Sequence, residues 1–430
     1  GYARAPRILR GVKQLDPGSY GVVREGRLAE AGRYWRPAAR PREISEKDAL
    51  PLIRETVKKA VSSRLESDVL LGAFLSGGID STIVVREMRE AGAADLHTFS
   101  VGFSDGEGYD ESPWAKKVAA LFGTKHHEQI VEGDEALLSS VLSALDEPMA
   151  DSSAIGVYAL TRHARKGITV ALGGDGGDEV FCGYERFTGV ELTEKIPKVF
   201  RHALRSLAPL VPNTKGYGNR GDRLRRVLRE GWRDSVEKLL RWQAMSPPED
   251  ALLLIRPELR PTEDFPWPLS LEGKSPFHLH EILQANFESY LPDDLLVKTD
   301  RMTMSHGLEL RSPFLAREVI ELGLSLPKEG LLKGRTLKYW LKTAYRGIIP
   351  DEILDRRKHG FGMPVHLWWR GKLQKFAGER LLDSSSPLWN HLGREAVQAL
   401  WDGHQQGNFD AGQRIYGLLV LGHWLRRIAK

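Results

Sequence analysis

The sequence of 430 residues contains a single cysteine, Cys182, and no long apolar run. One cysteine excludes an internal disulfide and fits a reducing, cytoplasmic compartment. The longest apolar run, IYGLLVLGHWL near the C-terminus, is far too short to span a bilayer, so we expect no membrane partner. The first residues, GYARAPRILRG, lack the apolar core of a signal peptide and an initiating Met, so we expect a processed chain or a fragment.

The sequence also lacks a strong excess of either charge. Lys and Arg number 62 against 57 Asp and Glu, which gives a net charge of +5 and does not by itself imply a nucleic-acid partner. Hydrophobic residues at 41% and charged residues at 28% exclude a disordered or collagenous chain. The length predicts two or three domains.

The pattern of the chain divides it into three parts. Residues 17–35 predict a hairpin around Glu25 and Gly26, followed by a Pro-rich linker, so residues 1–43 look like the tail of a preceding domain. From 44 to 190, apolar strand-like runs alternate with helical patterns, which predicts an α/β fold with a doubly wound parallel sheet. From 191 to 430 strand-like runs disappear, and we expect a mostly helical region packed on the sheet.

Within residues 44–190 the pattern predicts individual elements. The strands are expected at 69–75, 96–101, 126–131 and 168–172. The helices are expected at 46–65, from Ser81, between Ser112 and Gly123, at 134–145 and at 154–166.

The strongest motif is FLSGGIDS, residues 74–81, between a predicted buried strand and a predicted helix. Two glycines allow a tight turn whose backbone N–H groups point into one concavity. The hydroxyls of Ser76 and Ser81 and the positive end of the helix dipole complete a cradle suited to pyrophosphate, although the GK[ST] ending of a Walker A loop is absent. Asp80 would repel phosphate unless it held a cation, for which Mg²⁺ is the natural choice.

A second motif, ALGGDGGDEVFCGY at residues 171–184, also follows a predicted buried strand. Its glycines surround Asp175, and Asp178 and Glu179 follow closely. The loop can supply a second Mg²⁺ ligand and an acid/base carboxylate. Alone it would suit a solvated acidic turn, but two such loops at the carboxyl ends of strands in one sheet occupy the place where open α/β sheets bind ligands.

These motifs resemble the synthetase domain of glutamine-hydrolysing asparagine synthetases, members of the PP-loop ATP pyrophosphatases. SGGIDS is similar to the family's pyrophosphate loop, and GDGGDEVFCGY to its second ATP/Mg²⁺ loop. LPDDLLVKTDRMTMSHGLELRSPFL at 291–315 and RRKHGFGMP at 356–364 resemble two further family blocks. The resemblance implies an adenine nucleotide alpha-hydrolase-like fold for residues 44–430, a glutaminase remnant at 1–43, and a homodimer.

The resemblance also implies roles for individual residues. ATP would be held by Leu75, Ser76, Gly77, Gly78, Asp80, Ser81, Val101, Gly173 and Gly174. Mg²⁺ would be bound by Asp80 and Asp178. Asp175 would deprotonate the attacking amine, and Lys358 would neutralise charge that builds on the phosphates.

The implied reaction is amide formation driven by ATP. A carboxylate attacks the α-phosphorus, pyrophosphate leaves, and ammonia or an amine then displaces AMP from the acyl-adenylate. The acceptor implied most directly is aspartate, with asparagine as product. Three positions depart from the family pattern and bear on the acceptor: Asp175 stands where Glu is frequent, Gly173 where Ser is frequent, and Ala316 where Asp is usual.

Three other functions stay open at this point. Relatives that share these loops act on polysaccharide, β-lactam or peptide precursors. A tRNA-modifying PP-loop enzyme would use the basic stretch 219–233 as an RNA platform, but such enzymes seldom carry the blocks at 291–315 and 356–364. A binding scaffold without activity is the third, and intact Asp80, Asp178 and Lys358 argue against it.

Overall fold

A computed structural model describes residues 8–9, 11–104, 110–197, 200–201, 205–211, 220–261, 278–357, 360 and 362–429. Five strands form a parallel sheet in the order β5-β4-β3-β6-β7, beside two separate two-stranded antiparallel hairpins. The strands are β1 Ser19–Arg24, β2 Arg27–Arg33, β3 Leu71–Phe74, β4 His97–Phe103, β5 Lys125–Val131, β6 Val170–Leu172, β7 Glu309–Arg311, β8 Leu332–Lys333 and β9 Thr336–Leu337.

The sheet confirms the predicted α/β class, and β3, β4, β5 and β6 overlap the predicted strands. The region beyond residue 190 is mostly helical, as expected, but it also contains three short strands. Glu309–Arg311 completes the sheet as β7, paired in parallel with β6, and β8 and β9 form a small hairpin. Segments of two or three residues are too short to leave an alternating pattern, so their pairing is decided by tertiary contacts.

Helices cover both faces of the sheet and make up most of the C-terminal half. The helices of the first half are α1 Glu46–Ser62, α2 Ile79–Glu90, α3 Ser112–Phe122, α4 Glu135–Ala144, α5 Ser153–Ala164, α6 Gly177–Val180 and α7 Glu185–Glu194. Those of the second half are α8 Arg220–Glu230, α9 Ser235–Gln243, α10 Pro248–Leu254, α11 His278–Glu288, α12 Leu296–Met304, α13 Arg317–Ser325, α14 Lys328–Leu331, α15 Tyr339–Tyr345, α16 Asp351–Leu354, α17 Val365–Trp368, α18 Gln374–Leu381, α19 Arg394–Gln405 and α20 Gly412–Ile428.

Shorter helical turns complete the described secondary structure. The 3₁₀ turns are Ala208–Leu210, Pro257–Leu259, Pro313–Leu315 and Pro387–Asn390, and a π-helix covers Leu291–Leu295.

Local chemistry sets several helix boundaries. The Ser45 side chain accepts a hydrogen bond from the Asp48 amide and caps α1. Gly123 ends α3 in the left-handed region with φ 61°, as the sequence predicted. At its start, α3 differs by one residue from expectation, because Glu111 takes the cap position and Ser112 is already helical.

The apolar core forms one cluster on each side of the sheet. One cluster contains Leu75 and Ile83 together with residues of α1, α13 and α15. The other contains Phe99 and Val101 together with α20 and the adjacent Trp368 and Trp369. Because strand residues alternate between the two faces, both faces need a cover, and the C-terminal helices contribute to both.

The N-terminal hairpin β1–β2 forms as predicted. Glu25 and Gly26 both have positive φ, 50° and 71°, which suits a two-residue turn between twisted strands. Val23 and Leu28 on this hairpin are 66% and 65% exposed. Trp35, just beyond it, donates a hydrogen bond to Glu321 and so ties the segment to the body of the protein.

Among the described residues, no helix combines the length and the apolar character that crossing a membrane requires.

Candidate active site

The first loop lies between the end of β3 and the start of α2. Gly77 has φ +72°, and a Cβ there would lie 2.5 Å from the Trp114 carbonyl carbon, so only glycine fits. Ser76 and Ser81 fold the turn onto itself, with their Oγ atoms 3.1 Å apart and the Gly78 amide donating to the Ser76 hydroxyl. The helix begins with Gly78 as its cap, which directs the first free N–H groups of α2 at this turn.

The second loop follows β6, the neighbour of β3 in the sheet, so both loops leave the same edge. Its Asp178 is 7% exposed, and Asp80 of the first loop is 8% exposed. Lys338, which is 3% exposed, lies between them. Its Nζ donates to both oxygens of Asp80 at 2.6 Å and lies 2.7 Å from Oδ1 of Asp178.

The two aspartates predicted to share a metal therefore converge on one cationic group. Carboxylate oxygens 2.6 and 2.7 Å from the same nitrogen are no more than 5.3 Å apart. No cluster of three or more His, Cys, Asp or Glu side chains that could hold a metal occurs in the described parts of the chain. Two carboxylates without a full protein cage are the donor set that Mg²⁺ uses when phosphate oxygens and waters supply the rest, so the residues fit this ion.

Close backbone packing at Gly183 makes room for the lysine. A Cβ at this position would lie 1.9 Å from Oδ1 of Asp178 and 2.2 Å from Cε of Lys338. Any larger residue would thus separate the ion pair. This requirement explains the glycine that ends the second loop.

The other predicted nucleotide residues border the same edge. Gly174 packs against Asp80 and the Ser81 amide, where a Cβ would lie 2.8 Å from that nitrogen. The Gly173 amide donates to the Arg311 carbonyl of β7. Leu75 directly follows β3 and Val101 lies within β4, and both are buried in different core clusters.

Of the two predicted catalytic residues, Asp175 and Lys358, the structure describes only Asp175. Asp175 is partly buried in the second loop, between Gly174 and Gly176. Lys358 lies outside the described residues, so its predicted role has no structural test.

Next to Asp178, Glu179 is buried and accepts a hydrogen bond from the Tyr184 hydroxyl. Burial first, and the charge of Asp178 second, raise the pKa of Glu179 to about 7. Burial also raises the pKa of Tyr184 well above its ordinary value of 10.0. At neutral pH this acidic loop therefore contains a carboxyl group that can gain or lose a proton.

A buried ion pair connects α12 in the helical half to the residues just before α5. Nζ of Lys298 lies 2.7 Å from Oδ2 of Asp151, and the Ser153 amide donates to Oδ1. Burial alone would raise the pKa of Asp151, but Lys298 outweighs it and the pKa is lowered.

Comparison with known proteins identifies the family of the chain. Residues 52–426 match the family described as Asparagine synthase. The chain belongs to the asparagine synthase family. It is 29% identical over 421 residues to asparagine synthetase [glutamine-hydrolyzing] 1 of Bacillus subtilis, covering 96% of this chain and 65% of that protein.

Other relatives of the chain are named as asparagine synthetases or as amidases. A putative asparagine synthetase [glutamine-hydrolyzing] of Mycobacterium tuberculosis is 31% identical over 437 residues, 98% of this chain and 65% of that protein. Amidase chry2 of Gibberella zeae is 26% identical over 438 residues, 92% of this chain and 65% of that protein. The chain thus spans slightly less than two thirds of the length of these relatives.

Lys338 is the main residue of this asparagine synthase family site that the sequence did not reveal. It is 258 positions from Asp80 and occurs in the unremarkable stretch GRTLKYW. Nothing in that stretch indicates a loop contact. Its own conformation is unusual, with φ 55° for a non-glycine residue, but this is visible only in the structure.

Proposed function

We propose that the chain forms an amide bond at the expense of ATP, by adenylating a carboxylate and transferring it to ammonia or another amine. The observation that carries the proposal is that Asp80 and Asp178, from loops after neighbouring strands, both contact the buried ammonium group of Lys338. A glycine-rich cradle beside two carboxylates that accept a cation suits the triphosphate of ATP.

The first loop would hold the leaving pyrophosphate. The backbone turn at Gly77 and the N-terminus of α2 supply N–H donors, and the hydroxyls of Ser76 and Ser81 adjoin them. Asp80 and Asp178 would hold Mg²⁺, which when bound neutralises phosphate charge. Lys338 adds a fixed positive charge from the protein at the same place, and Lys358 is proposed to add another during adenylation. Adenylation consists mainly of positioning and charge neutralisation, which these residues supply.

The second half of the reaction needs an unprotonated amine. Asp175 is proposed as the base that removes a proton from it, because it lies in the second loop beside the nucleotide glycines. Gly173, Gly174, Leu75 and Val101 are proposed to border the nucleotide.

Aspartate is the proposed acceptor, with asparagine as product. Two relatives bear asparagine synthetase names, which supports this choice. The similarity to a protein named an amidase, together with Asp175, Gly173 and Ala316 at positions that depart from the family pattern, keeps another carboxylic acid as the alternative.

The nitrogen source is proposed to be glutamine, hydrolysed by a domain to which the hairpin β1–β2 belongs. The exposed apolar residues Val23 and Leu28 are consistent with this, because an isolated two-stranded hairpin has little stability of its own. Residues 44–430 are the proposed synthetase unit, and a homodimer is its proposed assembly.

The test is ATP–pyrophosphate exchange with a panel of carboxylic acids, followed by amide formation with ammonium. Exchange that requires aspartate would support the proposal, and exchange that requires another acid would assign a different acceptor. An Asp80→Asn variant should lose exchange. Absence of exchange with every acid would reject the adenylating function, and tRNA binding that weakens steeply with salt would favour the RNA-modifying alternative.

A further inference from the structure

One arginine beside the second loop takes no part in the chemistry described above. Arg186 follows Tyr184 by two residues. Its guanidinium carbon lies 3.7 Å from the centre of the Tyr184 ring and 4.6 Å from that of Tyr290. Stacking against two aromatic rings restricts the plane of the cation and thereby fixes the directions of its N–H groups.

Two nitrogens of Arg186, Nε and Nη2, are buried, and neither has a hydrogen-bond partner among the residues that the structure describes. These two atoms belong to one edge of the guanidinium. In this same chain, the corresponding edge of Arg36 donates to both carboxylate oxygens of Glu288. Buried donors left unpaired are costly, and those of a charged group most of all. The edge of Arg186 therefore has the geometry of a carboxylate-binding fork.

The position of this edge relates it to the proposed reaction. The Tyr184 hydroxyl donates to Glu179, the residue after Asp178. On the other side, Tyr290 directly precedes the π-helix Leu291–Leu295, a form of backbone that is rare and frequent at functional sites.

We propose that Nε and Nη2 of Arg186 bind a second carboxylate of the acceptor acid, the one that is not adenylated. The assignment rests on the proposed function. Adenylation removes the charge of the reacting carboxylate, so only a second acidic group can satisfy the fork throughout the reaction. Arg186 would thus select acceptors with two carboxylates over those with one.

The test uses pairs of acids that differ by one carboxylate: aspartate with β-alanine, glutamate with 4-aminobutyrate, and succinate with propionate. For the wild-type chain, ATP–pyrophosphate exchange should favour the dicarboxylic member of the pair that is accepted. In Arg186→Gln the KM for that acid should rise about 10- to 100-fold, as expected for loss of hydrogen bonds to a charged group. The KM for ATP and the exchange with the monocarboxylic member should stay the same. Arg186→Lys keeps the charge but not the paired N–H donors, so its KM for the dicarboxylic acid should lie between those of the wild type and Arg186→Gln.

Arg394→Gln is the matched control, because Arg394 also stacks on an aromatic ring, 5.0 Å from the centre of Trp389, and is itself exposed at the start of α19. In Arg394→Gln the KM for each acid and the KM for ATP should stay unchanged. If Arg186→Gln fails to fold, calorimetric titration of the wild-type chain with each acid and α,β-methylene-ATP replaces it. Binding of the dicarboxylic acid at least ten times tighter is then expected.

Three results would overturn the assignment. An unchanged preference between paired acids in Arg186→Gln, or equal wild-type binding of both, would show that the arginine is only structural. A rise in the KM for ATP with every acid would show that the fork faces phosphate. Each of these three results leaves the adenylating function standing, whereas a wild-type chain that exchanges with no acid at all would reject that function and this assignment together.

Discussion

Removing the charge of Lys338 should destabilise the protein strongly and make its stability depend on Mg²⁺. In Lys338→Met, Asp80 and Asp178 would face each other with oxygens no more than 5.3 Å apart. At an effective dielectric constant of 20, two unit charges at that distance repel by about 3 kcal/mol. Breaking a buried ion pair by removing one partner typically costs about 3–5 kcal/mol, so we expect a loss in that range.

Mg²⁺ should restore part of this stability, because the variant keeps two converging carboxylates. At a concentration ten times the dissociation constant, binding to the folded state alone adds about 1.4 kcal/mol. Without ATP the wild-type chain should gain less, since Lys338 already neutralises the two aspartates. Exchange of ATP and pyrophosphate should fall sharply in the variant, by roughly the 10²–10³-fold that follows loss of one electrostatic stabiliser.

The assay is urea denaturation with and without MgCl₂. The control is Lys333→Met in the same segment, because Lys333 is exposed and its Nζ donates to the Tyr339 hydroxyl and not to a pair of aspartates. It should cost less than about 1 kcal/mol and show no added response to Mg²⁺. Equal losses in the two variants, or equal Mg²⁺ responses in Lys338→Met and the wild type, would refute the reasoning.

Three further predictions concern single contacts. Lys298→Met should lower the free energy of unfolding, measured by urea denaturation, by about 3–5 kcal/mol. Arg301 lies one turn further along α12 and pairs with Asp146 at the surface, so Arg301→Met should lower it by less than about 1 kcal/mol. Similar losses in the two variants would contradict this. The pKa of Asp151 is lowered in the folded state, so its pair with Lys298 stabilises the protein above the ordinary pKa of 3.8, and the stabilisation disappears as the pH falls through the lower folded value. In Lys298→Met, burial acts without the lysine and raises the pKa of Asp151, so the deficit of the variant should already shrink as the pH falls from about 7 towards about 4; a deficit that stays constant down to about pH 4 would contradict this. Gly77→Ala should weaken pyrophosphate binding in calorimetry at least tenfold, because φ is +72° and the added Cβ meets Trp114; unchanged binding would show that the turn tolerates a side chain.

Much of the sheet was predictable from the sequence. β3, β4 and β6 lie within or beside runs rich in apolar residues, and the glycine-rich loops follow β3 and β6. β5, with the sequence KHHEQIV, is mostly polar, but its residues were also predicted as a strand. β7 was not predictable, because Glu309–Arg311 has two charged residues among three and is specified only by its partner β6.

The candidate site also contains residues that the sequence predicted and residues that it did not. Asp80 and Asp178 come from contiguous motifs, and their spacing from buried strands was enough to place them at one edge of the sheet. Lys338 and the stacked edge of Arg186 were not predictable, because each depends on packing between segments distant in sequence. The metal and nucleotide roles of the motif residues remain predictions.

The ion pair between Asp80 and Lys338 also has a consequence for synthesis of the chain on the ribosome. The lysine is translated 258 residues after the aspartate. At about 5–20 residues per second, this takes about 13–50 s. During that interval Asp80 exists without its internal counter-charge, and β6 lacks the strand that pairs with its outer side. We therefore expect the sheet to be completed only after residues 309–338 have been synthesised, and truncation after residue 190 to be a poor route to a folded fragment.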